Sequence, residues 1–168
     1  MRLALALGAA VALTPVAAAA GDPEAGAAVF QRQCSNCHVV RNEAGEVLAG
    51  RNAQQGPNLY GVIGRQAGTY PNFRYGESLV QAGQAGLVWD EASFLAYVEN
   101  PNAFLRSYLN NNRARGNMAF QLRDATQRAD VYAFLATFSP APAEEPAEEE
   151  ATEEAPAEGE TPPPASGN

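Results

Sequence analysis

Cys34-Ser35-Asn36-Cys37-His38 is the stretch on which the reading of this 168-residue chain turns. Two thiols three positions apart can each add across a haem vinyl group, and the next residue, His38, is then delivered to one face of the iron. The C-x-x-C-H spacing is the signature of c-type haem attachment. Zinc and thiol-redox readings use the same cysteine pair and must be weighed against it. Cys34 and Cys37 are the only cysteines and His38 the only histidine. A zinc site would therefore stop at three ligands, one short of the closed tetrahedron that structural zinc requires. A thioredoxin-like dithiol needs a βαβ setting, and no such pattern surrounds the motif.

With His38 on one side of the iron, the opposite axial position needs a donor. Thioether sulfur opposite histidine raises the reduction potential of a haem. The chain has two methionines, and Met1 lies in a leader that export removes. Met118, in Gly116-Asn117-Met118-Ala119-Phe120, is left as the axial ligand. The competing reading is a gap-filling core methionine, but no second histidine and no lysine exists in the chain to fill the position instead.

Charge divides the sequence into three. Residues 1–20 pair one basic residue, Arg2, with an apolar run from Leu3 to Val16 and small residues at Ala18 and Ala20, the pattern of a secretory signal peptide cleaved before Gly21. Pro15 and the alanine run make it a poor spanning helix. Export also agrees with the chemistry, because bacteria attach c-type haem outside the cytoplasm. Residues 21–138 hold ten arginines and ten acidic residues and are formally neutral. Residues 139–168 hold nine glutamates, no base and no aromatic residue. This Pro/Ala/Glu segment has too little apolar surface to offset chain entropy, and disorder is expected. Nothing in the balance favours nucleic acid, which calls for a basic surplus.

The central segment is long enough for one core. Asp22-Pro23-Glu24 predicts a helix start, with an N-cap, a proline in the first turn and an acid behind it. This helix runs toward Cys34. A second opens at Asp90 after Trp89, carries Phe94, Leu95 and Val98, and ends at Asn100-Pro101. Phe104, Leu105, Tyr108 and Leu109 suggest a further short helix. The last begins near Asp124 or Thr126, with Val131, Phe134, Leu135 and Phe138 at helical spacing. Gly- and Asn-rich loops lie between, Gly45 to Gly68 being the longest, and no strand pattern stands out. The expectation is an all-α domain in which haem replaces much of the usual core.

In these motifs and their order, residues 22–138 closely resemble class I cytochromes c, and bacterial cytochrome c2 above all. The resemblance implies that Gly26 and Phe30 mark the crossing of the first helix over the last, near Val131 and Phe134. It implies that Pro57, in Gly56-Pro57-Asn58-Leu59-Tyr60-Gly61, accepts the ring N–H of the haem histidine. Arg65, Tyr75 and Trp89 match positions that lie against or hydrogen-bond the haem propionates, and Tyr97 matches the tyrosine beside the methionine sulfur. The long intervals from His38 to Pro57 and from Pro101 to Met118 fit the larger cytochromes c2. Two features depart from the family. Its exposed haem edge is usually ringed with lysines, for which Arg32, Arg106, Arg113, Arg115 and Arg123 are the best-placed substitutes here. The acidic tail also has no counterpart in the ordinary pattern.

Cys34 and Cys37 as attachment points, with His38 and Met118 filling both axial positions, leave no open iron site for substrate chemistry. The expectation is one haem c in a monomeric periplasmic electron carrier, not an enzyme. By resemblance, its donor is a cytochrome bc1 complex and its acceptor a reaction centre, a terminal oxidase or a periplasmic reductase. The alternatives are a haem enzyme or gas sensor with a labile sixth ligand, or an electron-transfer module tethered by its tail.

Overall fold

The crossing of the first and last helices organises the domain. In the computed structural model, which describes residues 21–139, helix α1 (Pro23–Val29) packs on α5 (Ala125–Ala136). The expected signal peptide and all but the first residue of the acidic tail lie outside the described residues. Asp22 caps α1 by accepting from Glu24 N–H at 2.8 Å, while its own N–H donates to the Asp130 carboxylate on α5 at 2.8 Å. A methyl group on Gly26 would run into the Asp130 carbonyl and come within 2.8 Å of Phe134 Cβ. Glycine is what lets the two backbones approach so closely. Phe30 then stacks against Phe134 with ring centroids 5.5 Å apart, so the expected crossing is present.

After Val29 the helix loosens into a π-helical turn, Phe30–Cys34. Such turns carry an extra residue per bond and often occur where a side chain must be re-aimed. Helices α2 (Glu77–Gln84), α3 (Glu91–Glu99) and α4 (Pro101–Tyr108) complete the helical set. Asp90 caps α3 through Ser93 N–H at 2.7 Å, and Asn100 both ends α3 and caps α4 through Ala103 N–H at 3.0 Å. Asp124 caps α5 through Gln127 N–H at 2.9 Å. Buried Phe94, Tyr97, Val98, Leu105, Val131 and Leu135 converge from α3, α4 and α5 into one core.

Two elements depart from the sequence expectation. The chain folds a small antiparallel hairpin, β1 (Val39–Arg41) with β2 (Val47–Gly50), directly after the haem motif. The turn is chemically specified: Asn42 Oδ1 accepts Glu46 N–H at 2.9 Å, and Gly45 takes a φ of 84°. The strands are too short to display alternation, and Val47 and Leu48 are exposed, so no period marks them. Helix α2 also lay unread within the glycine-rich region. It starts at Gly76 with no side-chain cap. Its buried positions, Leu79, Ala82 and Gly83, are nevertheless helically spaced.

Candidate haem site

The motif sits where the helix runs out. The Cys34 carbonyl accepts from Cys37 N–H at 3.0 Å and His38 N–H at 2.9 Å, and the resulting tight loop brings Cys34, Cys37 and His38 to the edge of one cavity. Ser35, only 1% exposed, secures the loop from inside by donating its hydroxyl to the Gln31 carbonyl at 2.6 Å.

Gly56 N–H donates to the Cys37 carbonyl at 2.7 Å, which lays the Gly56–Pro57 segment against the imidazole. A methyl group on Gly56 would stand 2.5 Å from His38 Nδ1 and 2.8 Å from Nε2. Only glycine leaves room for the ring. His38 Nδ1 lies 3.0 Å from the Pro57 carbonyl. A carbonyl can only accept, so Nδ1 carries the hydrogen and Nε2 keeps a lone pair for a metal. Burial lowers the His38 pKa, and the Pro57 bond offsets only part of that. The neutral ligand form is therefore the favoured one.

The cysteines behave unlike a redox dithiol. Burial first, and the neighbouring Cys37 second, push the Cys34 thiol up to about 11. Catalytic dithiols work through a lowered pKa, so the chemistry of this pair runs against that reading.

The cavity measures about 540 Å³, within the range of cofactor pockets. Leu79, Phe94, Val131 and Leu135 are buried residues in its apolar lining. On another side, residues 64–67 and 87–89 run as an antiparallel ladder. Gly64 N–H donates to Trp89 O at 2.9 Å, and Trp89 N–H to Arg65 O at 3.0 Å. Arg65 and Trp89, far apart in sequence, are thus held side by side. The Arg65 guanidinium donates to the carbonyls of Tyr60 at 3.0 Å and Asn58 at 3.2 Å, and lies 5.1 Å from the Tyr70 ring centroid. Burial lowers its pKa, with Tyr75 and Tyr70 acting the other way, and the group remains a cation. It makes no ion pair with a described residue, so a positive charge borders the cavity without an anion from this part of the chain.

Tyr97 is buried, with its ring centroid 4.9 Å from that of Trp89. Burial, then the nearby Tyr75, push its hydroxyl up to about 12. Burial likewise raises Tyr75, against a lowering influence from Arg65. Met118, half-buried, reaches the same cavity from the segment between α4 and α5. The nine residues singled out in the sequence, Cys34, Cys37, His38, Pro57, Arg65, Tyr75, Trp89, Tyr97 and Met118, all border this one cavity.

The five arginines expected at the haem edge, Arg32, Arg106, Arg113, Arg115 and Arg123, are all exposed and do not line it. One residue of weight was missed. Asn58 accepts from Arg41 N–H at 2.9 Å and Tyr60 N–H at 3.1 Å, and donates to Arg41 O at 2.7 Å and Tyr70 Oη at 3.1 Å. It ties β1 to the loop that carries Pro57. Its place beside Pro57 in the Gly-Pro-Asn motif was the available signal.

A haem suits these residues on several independent counts. Two thiols border the cavity, His38 keeps Nε2 for a metal beside a Gly56 that leaves room for its ring, and Arg65 offers a cation that no described residue pairs.

No family model matches the chain. Its similarity to individual proteins is extensive. It is 48% identical over 133 residues to cytochrome c2 of Cereibacter sphaeroides, covering 79% of this chain and 91% of that protein. It is 52% identical over 117 residues to cytochrome c2 of Rhodovulum adriaticum, covering 70% of this chain and 92% of that protein. The structure of cytochrome c2 from Rhodobacter sphaeroides superposes with a TM-score of 0.69 at 46% identity, covering 73% of this chain and 99% of that one. Ferric cytochrome c-550 from Paracoccus versutus gives a TM-score of 0.67 at 34% identity, over 71% and 99% of the two chains. Identity near one half, sustained across nine-tenths of the relatives' own length and matched by the fold, shows that this chain belongs to the cytochrome c2 family of class I c-type cytochromes.

Proposed function

We propose that this single-haem electron carrier works in the periplasm, taking electrons from a cytochrome bc1 complex and passing them to a reaction centre, a terminal oxidase or a periplasmic reductase. The observation that carries the reading is the meeting of Cys34, Cys37, His38 and Met118 at one cavity, although Met118 is remote from the other three in sequence. A haem c held there supplies a one-electron Fe(II)/Fe(III) couple.

The chain's own residues do the rest. Cys34 and Cys37 would hold a haem covalently through thioether bonds. His38 and Met118 would be the iron's protein ligands, and Pro57, by accepting from Nδ1 at 3.0 Å, fixes the plane and basicity of the imidazole. Arg65, with Tyr75 and Trp89 at the same cavity, would receive the propionates, and Tyr97, which lines that cavity with Met118, would support the methionine ligand. Leu79, Phe94, Val131 and Leu135 keep water from the ring. An apolar pocket disfavours the more highly charged ferric site, and the thioether ligand does likewise, so both push the potential upward. With both ligands supplied by the chain, the iron would keep no site for substrate, and electron transfer would be the chemistry left.

Periplasmic residence rests on the leader in 1–20 and on the extracytoplasmic assembly of c-type haem. No helix among the described residues is long and apolar enough to cross a membrane. The reading is tested by adding carbon monoxide to the reduced holoprotein at neutral pH while following electron transfer with purified bc1 and acceptor complexes. The carrier leaves carbon monoxide unbound and turns over with both complexes. Rapid binding instead supports the gas-sensing or enzymatic alternative. N-terminal sequencing of the exported protein, expected to begin at Gly21, tests the compartment.

A further inference from the structure

Residues 109–124, which carry Met118, contain no helix or strand, so their backbone polar groups must find partners outside regular structure. Three successive residues do so through side chains of two different helices. Arg106 Nε on α4 donates to the Ala114 carbonyl at 3.3 Å, Arg115 N–H donates to Ser78 Oγ on α2 at 3.1 Å, and Gly116 N–H donates to Asn102 Oδ1 on α4 at 3.0 Å. The next anchor is Leu122 N–H, which donates to the Val98 carbonyl on α3 at 2.9 Å. Between these pins, the backbone of 117–121 makes no hydrogen bond to another described residue. Met118 therefore sits in a short unsupported span, two residues beyond the Asn102 bond.

The upstream pin is also the better built. Ala114 is 1% exposed, and a methyl group on Gly116 would stand 3.3 Å from Leu105 Cδ1 and 3.5 Å from Tyr97 Oη. The strap is pressed onto the core at that point, and Ser78 and Asn102, both half-buried, fix its height over the cavity. Arg106 is exposed and its bond is longer, which makes it the weakest of the three.

We propose that Ser78 and Asn102 are positioning residues for Met118, setting how often the strap lifts and hence how readily an outside ligand gains the position its sulfur holds. This rests on the reading of Met118 as an axial ligand. A strap loosened at either bond opens more often, and the net worth of one such hydrogen bond corresponds to roughly two- to tenfold in the open population.

The experiment uses ferric holoprotein and imidazole as the probe ligand. At saturating imidazole the binding rate is limited by departure of Met118. Asn102→Ala and Ser78→Ala should each raise that limiting rate roughly two- to tenfold, while Asn102→Asp and Ser78→Thr, which keep an acceptor oxygen, should return it toward wild type. Gln127→Ala, which removes the 2.8 Å Gln33–Gln127 bond away from the strap, controls for general loosening and should leave the limiting rate unchanged. Met118→Ala should bind imidazole with no such limit. Wild-type rates in both alanine variants, with Met118→Ala open, would overturn the positioning role alone. An equal acceleration in Gln127→Ala would overturn it as well. If Met118→Ala bound imidazole no faster than wild type, the ligand reading itself would fail, and the positioning role with it.

Discussion

The two sides of the haem cavity are built by different means. On the His38 side main-chain bonds do the holding. One carbonyl, that of Cys34, gathers the N–H groups of Cys37 and His38. The π-helical turn hands over directly to the motif, and the Gly56–Pro57 segment closes on the ring. On the Met118 side the holding falls to side chains. The strap that carries Met118 has no regular structure of its own and is pinned by side chains from α2 and α4. The first arrangement tolerates little change. The second can yield without unfolding the domain, and its failures should appear in ligation and potential first.

The sharpest way to break the His38 side is Gly56→Ala. The added methyl would collide with the imidazole, within 2.8 Å of Nε2, and ring or backbone would have to shift. The variant should lose about 3 kcal/mol of stability or more, the upper end for overpacking, together with most of its attached haem. Denaturant midpoints and the yield of holoprotein measure both. A normal yield and midpoint would mean that the segment is looser than its geometry.

Met118→Ala probes the other side and should do less to the fold. Attachment depends on Cys34 and Cys37, so haem stays bound, while the potential falls and carbon monoxide gains access to the reduced iron. Redox titration and carbon monoxide binding are the readouts. An unchanged potential with no new ligand binding would remove Met118 from the site.

This contrast also explains what could be read from the sequence. Cys34, Cys37 and His38 announce themselves because their chemistry requires adjacency. Met118 was reached by elimination, which works only because the chain is so poor in alternatives. The caps of α1, α3 and α5 were legible from Asp22, Asp90 and Asp124, since capping is a local bond, whereas Asn100 reads only as the end of α3 and its cap on α4 comes from the structure. Helix α2 was not, because Gly76 gives it no capping side chain and its helical form is sustained by burial of Leu79, Ala82 and Gly83 against the rest. The β1–β2 hairpin escaped for a related reason: its Asn42–Gly45 turn was the signal, and strands of three and four residues carry no period. The placement of Arg65 beside Trp89 needed the resemblance, because a cross-chain ladder leaves no mark on either segment alone.

Alkaline pH should separate the two sides more gently. Tyr97 is held at about 12 by burial and by Tyr75, against about 10 in an unfolded chain. The native state therefore keeps its proton where the unfolded state has lost it. The stability this contributes is complete below about pH 10 and disappears as pH rises toward 12, a loss on the order of 2–3 kcal/mol. Urea unfolding at pH 8 and pH 11 should show a larger drop for wild type than for Tyr97→Phe. Equal drops would mean that the hydroxyl is less buried than its surroundings indicate.

The smallest effect belongs to the acidic tail. Arg32, Arg106, Arg113, Arg115 and Arg123 are exposed and unpaired with any described residue, and nine glutamates follow residue 139 in the same chain. Those charges should compete with an acidic partner for the arginine face. A chain ending at Ser139 should exchange electrons faster at low salt, and the difference should fade as screening shortens to about 8 Å at physiological ionic strength. Superimposable salt curves would leave the tail a solubilising segment only.

The central claim is that His38 and Met118 hold the iron between them. X-ray absorption at the iron edge of the holoprotein tests it most directly, because the cysteine sulfurs are bonded to carbon on the macrocycle and not to the metal. Wild type should show one sulfur at bonding distance beside the nitrogen shell in both oxidation states, and Met118→Ala should show none. A nitrogen- or oxygen-only shell in the wild type, or a sulfur that survives in Met118→Ala, would contradict it.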